Sequence, residues 1–458
     1  MESLIFWFEK IDSWIWQPLF VILIGVGIYL TIQLRGLQFR KLGYALKLAF
    51  SRHDHTAAGD ISHFQALMTA LAATIGIGNI AGIATAITLG GLGSLFWLWV
   101  TTLIGMSTKY AEALLAIKYR STDERGNMSG GPMFYIRRGL NWKWMAGAFA
   151  FFGAIATIMT GNMVQSNSIA SVASTYLHLN EWVSGAILAV CTGLVLIGGI
   201  CSIGKVTSFL VPIMALLYIG GAIFVLGFHF TAIPEALMTI FRSAFTGQAA
   251  MGGFVGSTIM MALQMGVARG VFSNESGLGS APIAAAAAKT DYPSRQALVS
   301  MTGAFLSTIV CTFTGLAIAV THVLGYIGSN GRILTGSQLT ALAFDKGFPL
   351  GGLVVVLSCL LFGFSTIVGW AYYGEKCSEY LFGARSVPFY RLLFTLAVFF
   401  GVMVPMEIMW PVADIANAFM ALPNLIALLA LSSVVVKETK LFFRKIEEEK
   451  NLTISPSV

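Results

Sequence analysis

The sequence predicts an all-α integral membrane protein. It has eleven transmembrane helices, ten of them in two five-helix blocks of inverted topology behind one extra N-terminal helix. Three observations carry the prediction: a composition too apolar for water, apolar runs of spanning length, and glycine-interrupted segments at matching positions in the two blocks. The 458 residues are 56% hydrophobic and 11% charged, against roughly 25% charged in soluble domains. Mean hydropathy is +0.78. A soluble core has no use for that much apolar surface, whereas a bilayer solvates it. The five cysteines (Cys191, Cys201, Cys311, Cys359 and Cys377) form no CxxC pair, so neither a disulfide framework nor a zinc site is expected.

A helix needs about 20 apolar residues to cross the ~30 Å hydrocarbon core. The runs that qualify are 14–34, 63–88, 93–119, 143–175, 181–200, 204–228, 252–287, 293–325, 349–375, 388–404 and 407–436, taken as spans 1 to 11. The first reads as a retained helix. Glu2, Glu9, Lys10 and Asp12 spoil a positive leader region, and no A-x-A cleavage site follows. Two amphipathic stretches, 231–246 and 335–346, are too short or polar to cross and suit the interface. Residues 126–142 read as a polar loop turning at Gly130-Gly131-Pro132. The organisation is then an N-terminal helix and basic loop (1–62), a first repeat (63–228), an external amphipathic segment (229–251), a second repeat (252–436) and a tail (437–458).

Charge fixes the orientation. With the N-terminus outside, the inner loops and tail hold 22 of the 28 Lys and Arg. The outer side holds only Lys10, Arg242, Arg332 and Lys346, and Lys109 and Arg269 fall within spans. This asymmetry follows the positive-inside rule and predicts a multi-pass protein of the cell membrane with a cytoplasmic C-terminus. It also accounts for the net charge of +7 without nucleic acid as a partner; the lipid bilayer is the partner expected.

Spans 2 and 7 are interrupted. Span 2 is broken at Thr74-Ile75-Gly76-Ile77-Gly78-Asn79, and span 7 at the polar, glycine-flanked run Arg269–Gly277. Glycine costs about 1 kcal/mol against alanine in a helix interior, and ionisable groups at membrane depth mark function. Span 2 opens spans 2–6 and span 7 opens spans 7–11. Five being odd, the second block starts from the opposite side, and paired interruptions of this kind point to a transporter's central site. Carbonyls freed near Ala72–Ile75 suit a cation, N–H groups near Gly78–Asn79 suit a carboxylate, and carbonyls near Ala268–Gly270 suit an ammonium. The implied substrate is a small zwitterion.

The strings TIGIGNIAG (74–82), GGPMFYI (130–136), NMVQSNSIA (162–170) and FSNESGLGSAPIAAAAAKT (272–290) resemble the alanine or glycine:cation symporter family across essentially the whole chain. That resemblance implies the leucine-transporter fold, five plus five inverted helices, with Na⁺-coupled (sometimes H⁺-coupled) uptake of alanine, glycine or similar amino acids. No organic cofactor or enzymatic activity is expected. It implies a substrate carboxylate at Gly76-Ile77-Gly78-Asn79, and a Na⁺ site from Ala72, Ile75, Phe362, Ser365 and Thr366. Independently, Phe362, Ser365, Thr366, Gly369 and Trp370 recur on one helix face, although Ser and Thr also bond back to their own helix.

The substrate-binding candidates are Thr74, Gly76, Gly78 and Asn79 at the first break, Gly270, Phe272 and Asn274 at the second, and Gln165, Thr366 and Trp370. Gln165 lies in a polar cluster with Asn162, Ser166 and Asn167, for which pocket lining and helix–helix bonding are equally open. Bulky Phe272, Ile367 and Trp370 favour a small side chain. Arg269 and Glu275 are expected to pair across the unwound segment, and Lys109 with Glu112 as a structural pair near the inner interface. His53, Asp54 and His55, with His63 nearby, form a weak candidate metal cluster.

Overall fold

The computed structural model describes residues 2–51, 58–246, 258–328 and 331–454. Its elements are helices apart from one two-stranded hairpin. In chain order the helices are α1 (Glu2–Gln33), α2 (Leu37–Ala49), α3 (His63–Thr74), α4 (Ala81–Gly90), α5 (Gly93–Lys118), α6 (Pro132–Gly139), α7 (Lys143–Ile158), α8 (Val164–Leu177), α9 (Glu181–Ile197) and α10 (Gly199–Phe228). They continue with α11 (Ile233–Thr246), α12 (Ile259–Asn274), α13 (Ala281–Ala286), α14 (Pro293–Val320), α15 (Gly336–Gly347), α16 (Gly351–Phe382), α17 (Val387–Gly401), α18 (Met406–Ala430) and α19 (Ser432–Ile454).

Among the described residues, six helical stretches are long and apolar enough to cross a membrane, and a bent pair makes a seventh. The six are Lys10–Gln33, Lys143–Leu177, Gly199–Phe228, Pro293–Val320, Gly351–Phe382 and Ile408–Ala430. The pair, His63–Thr74 with Ile77–Gly90, is bent by 64°. The other expected spans are helical but shorter or more polar: α5 carries Lys109 and Glu112, α12 with α13 is broken, and α9 and α17 are short. The expected interfacial stretches are the helices α11 and α15.

The expected loop at 126–142 is instead built. Strands Ser121–Thr122 and Met128–Ser129 pair antiparallel, and Pro132 opens α6 at its first position. Proline there lacks only an N–H the helix start does not use, and Gly131 supplies the φ of 122° that the turn needs.

Packing centres on the broken helices. α5 packs along α12 and α14, while α16 crosses α7, α10 and α3. Both breaks are thereby surrounded by other helices, and unwound backbone persists at membrane depth only where protein buries it or a cavity borders it. All five cysteines are free. His53, Asp54 and His55 lie outside the described residues, and His63 is buried with its Nδ1 on Gln296 Oε1.

Candidate functional site

α3 ends at Thr74 because the backbone turns at Ile75 (φ −88°, ψ 86°). A single 3-10 turn, Ile77–Asn79, leads into α4. Gly76 N–H donates to Asn79 Oδ1 at 3.1 Å. Asn79 Nδ2 reaches Ser273 Oγ (2.9 Å) and Ser307 Oγ (2.9 Å). The amide thus ties the first break to α12 and α14. Gly78 is exposed in an otherwise buried run, and a Cβ added there would meet nothing within 4 Å. A Cβ on Gly76 would lie 2.6 Å from Thr366 Oγ1, so only glycine lets the break approach α16 this closely.

A cavity of about 280 Å³ surrounds this turn. Of the candidates at the first break, Thr74, Gly76, Gly78 and Asn79 line it; Gln165, Phe272, Thr366 and Trp370 close it from other helices. Gln165 Nε2 donates to Thr160 O at 3.3 Å, while its buried Oε1 has no hydrogen-bond partner. The rest of its cluster points elsewhere. Asn162 donates to Phe394 O (2.7 Å) on α17, and Asn167 to Val404 O (3.0 Å) in the link from α17 to α18. A π-helical turn at Met159–Met163 joins α7 to α8 and brings Thr160 to the wall, a distortion no spacing rule announces. Phe272 packs on Trp16, ring centroids 4.9 Å apart.

α16 presents a ladder of polar groups to the end of α3. Thr366 Oγ1 donates to Ala72 O at 3.1 Å and Phe362 O at 2.9 Å. Ser365 Oγ does the same at 3.3 and 2.9 Å. Trp370 Nε1 reaches Ala73 O at 3.2 Å. The hydroxyls therefore do bond back along their own helix, and also bridge to α3. Neither makes a hydrogen bond to Ile75, whose N–H closes on Leu71 O at 2.7 Å.

Several expectations need correction. The second break lies at the far end of the expected run Arg269–Gly277 and past it: α12 continues through Gly270 to Asn274, and the chain unwinds through Glu275 (φ 52°), Gly277 (φ 90°) and Gly279 (φ 82°) before α13. The carbonyls at Ala268–Gly270 are thus inside a helix. Gly270 serves packing, because a Cβ there would lie 2.8 Å from Thr101 Cβ, and it does not line the cavity. Nor does Asn274, whose Nδ2 donates to Thr102 Oγ1 at 2.7 Å and whose Oδ1 accepts from Thr308. Ile367 is buried away from the lining.

The ionisable groups also pair differently. Arg269 and Glu275 form no ion pair. Arg269 lines this cavity and also a second one that holds Asp414 and Asp12, while Glu275 Oε2 accepts from Ser280 Oγ at 2.7 Å. Lys109 and Glu112 do not bind each other. Lys109 Nζ donates to Asn274 O at 2.7 Å, and Glu112 Oε1 accepts Gly277 N–H (3.0 Å), Gly279 N–H (3.2 Å) and Asn424 Nδ2 (2.6 Å). One helix turn of α5 thereby satisfies both open ends of the second break, a cation on the carbonyl end and an anion on the N–H end. Ser273, Glu275, Thr160 and Trp410 also line the cavity; the first two stand in the polar run of span 7, while Trp410 carried no signal.

The profile of the Sodium:alanine symporter family matches residues 1–455. The chain belongs to that family. Within the sodium:alanine symporter family, the Sodium/alanine symporter AgcS of Methanococcus maripaludis is 53% identical over 441 residues, covering 95% of this chain and 96% of that protein. The Probable sodium/glutamine symporter GlnT of Bacillus subtilis is 36% identical over 434 residues, 94% of this chain and 89% of that one. Among solved structures, MhsT in complex with L-phenylalanine superposes with a TM-score of 0.60 at 15% identity, over 81% of this chain and 89% of that chain. That likeness is one of fold, the leucine-transporter fold. The chain is an integral membrane amino-acid symporter coupled to a cation, not an enzyme.

Proposed function

We propose that this protein imports a small neutral amino acid, alanine or glycine, driven by Na⁺ and moved by alternating access. Its eleven spans would form a five-plus-five inverted repeat behind an extra N-terminal helix, with the C-terminus cytoplasmic. The carrying observation is the cavity where the Gly76–Asn79 turn, the Thr366 hydroxyl and the unpartnered Gln165 Oε1 meet. Within the turn the Gly76 N–H is taken by Asn79 Oδ1 and the Asn79 N–H by Gly76 O, which leaves the N–H groups of Ile77 and Gly78, at the start of the turn, as those suited to a carboxylate. Gln165 Oε1 suits the ammonium of the same molecule. Bulky Phe272 and Trp370 in the lining favour a small side chain. At about 280 Å³ the cavity falls at the small end of ligand sites.

Ala72 O, Phe362 O, Ser365 Oγ and Thr366 Oγ1 form a cluster with the donor–acceptor spacings of 2.9–3.3 Å given above. Adjacent oxygens around a hard cation held at roughly 2.4 Å sit about 3.4 Å apart, so small shifts of the hydroxyls would admit Na⁺. Thr366 lines the cavity and belongs to this cluster, which gives ion and substrate a shared side chain. Coupling needs only that both favour the same conformation.

The inner side would be held shut by two knots. Arg120 gathers the carbonyls of Ala58, Ala286 and Ala288, and Lys376 binds Asp123 (3.0 Å), Glu379 (2.9 Å) and Ser129 (2.8 Å). Inward opening would release them. The alternative is a proton-coupled permease of the same fold. One observation speaks for it, a carboxylate, Glu275, in the cavity wall.

The test is uptake of labelled alanine and glycine into proteoliposomes under an inward Na⁺ gradient, an inward proton gradient, or K⁺ alone. Acceleration by Na⁺ is expected. Uptake driven by protons alone would select the alternative, and indifference to every gradient would end both. Competition by serine, glutamine and leucine ranks the pocket's size limit.

A further inference from the structure

Two apolar stretches of the chain end side by side. The spanning part of α1 closes at Gln33 and that of α18 at Ala430, and Tyr29 Oη lies 3.1 Å from Ser432 Oγ where α19 begins. Beyond these ends, α2 and α19 flank a pocket of about 480 Å³. Its floor is apolar, formed by Leu34, Leu37, Val436 and Phe443. Its rim holds Arg35, Arg40, Lys41, Lys440 and Arg444 against a single acid, Glu447. The pocket exists because Arg35 and Gly36 both take left-handed backbone (φ 54° and 63°), ending α1 and swinging α2 aside.

Among the described residues, four of these five cations form no salt bridge. Arg35, Arg40 and Lys440 are exposed. Lys41 Nζ sits 4.8 Å over the Phe443 ring, and Arg444 is shared with Glu448 at 3.3 Å. Five cations round an apolar floor, set just past two membrane spans, meet the phosphate layer of a bilayer with both halves of a lipid's chemistry. Basic pockets at this depth attract anionic headgroups.

We infer that this pocket binds the phosphate of an anionic phospholipid, with Arg35, Arg40 and Lys440 as its cationic rim and the acyl roots on Leu37, Val436 and Phe443. The inference rests on α1 and α18 as membrane spans, and not on which amino acid or ion is carried.

The test is native mass spectrometry of the full chain in detergent, titrated with phosphatidylglycerol, phosphatidylcholine or inorganic phosphate. Retention of phosphatidylglycerol over phosphatidylcholine is expected, undiminished by excess inorganic phosphate. The R35Q/R40Q/K440Q variant should bind phosphatidylglycerol roughly ten- to a hundred-fold more weakly. The K205Q/K289Q/R385Q variant removes the same charge from exposed residues elsewhere and should bind as the parent does. Equal losses in the two variants, or no loss in either, overturn the site. Equal retention of the two lipids overturns the headgroup selectivity, and displacement by inorganic phosphate reassigns the pocket to a soluble anion. If the triple variant does not purify, the single reversal R40E carries the same comparison, with a several-fold loss expected. Alanine uptake by the parent protein reads the transport proposal separately, so the two can fail independently.

Discussion

Gly76→Ala tests whether one side chain joins substrate and ion. Gly76 has φ −117°, an extended conformation open to alanine, so the backbone is not strained and any effect is steric. The added Cβ would lie 2.6 Å from Thr366 Oγ1, where ordinary contact begins at 3.4 Å, a shortfall of 0.8 Å. Thr366 is buried against Ala72 O and Phe362 O, so its hydroxyl can yield only by leaving both carbonyls. Overpacking of this size costs about 1–3 kcal/mol, equivalent to roughly 5- to 150-fold in an apparent binding constant. The expected outcome in a proteoliposome assay is a rise of that order in the Na⁺ concentration for half-maximal alanine uptake. Gly78→Ala is the control: its Cβ meets nothing within 4 Å and should narrow the cavity for larger substrates while leaving Na⁺ activation alone. Equal Na⁺ activation in Gly76→Ala and the parent would refute the shared Thr366 hydroxyl.

Other substitutions probe the remaining parts. Thr366→Val keeps the shape and removes the hydroxyl, so uptake should lose its acceleration by a Na⁺ gradient; unchanged Na⁺ activation would count against the cation cluster. Gln165→Leu removes the unpartnered acceptor and should raise the alanine KM roughly ten- to a hundred-fold, the worth of a hydrogen bond to a charged group, with Na⁺ binding retained. Glu112→Leu strands the N–H groups of Gly277 and Gly279 and the amide of Asn424, at about 1–3 kcal/mol each. Its melting temperature in detergent should fall clearly below that of Glu112→Gln, which keeps an acceptor; matching melts would refute the role of Glu112. For Asp123, outside the spans, burial raises the carboxyl, but the Lys376 hydrogen bond and charge, with the N–H groups of Asn127 and Arg125, outweigh it and hold it below its ordinary 3.8. A lowered carboxyl stabilises fully above that value and loses its contribution as pH falls through the folded one. Hydrogen exchange over 121–129, corrected for intrinsic rate, should therefore stay flat from neutrality to about pH 5 and rise only below about pH 4.

The breaks show how far local pattern reaches. The first was legible because its signal is intrinsic: two glycines two residues apart, with the amide of Asn79 close enough to cap Gly76. The second begins only in the last part of the expected run Arg269–Gly277, at Glu275. Gly270 and Gly277 look alike in sequence, yet one is small because α5 presses on it and the other because its φ is positive. Only the packing partner tells these apart. The Phe362–Trp370 face was readable from helical period alone, and its meeting with Ala72 and Ala73 put distances on it.

By itself the sequence determined the solvent and the distribution of charge. Hydropathy and loop charge are sums over many residues, and no tertiary contact can reverse them. It also determined where the first of the two interrupted spans must break, since that failure is a property of the glycines. Tertiary structure alone decided the partners of the buried charges. Lys109 and Glu112, three residues apart on one helix face, suggest each other; instead both turn to the second break, where unwound backbone offers a carbonyl to one and N–H groups to the other. Those backbone groups come from 165 residues away in the chain, beyond the reach of any local rule. They exist only once α12 has packed and broken against α5.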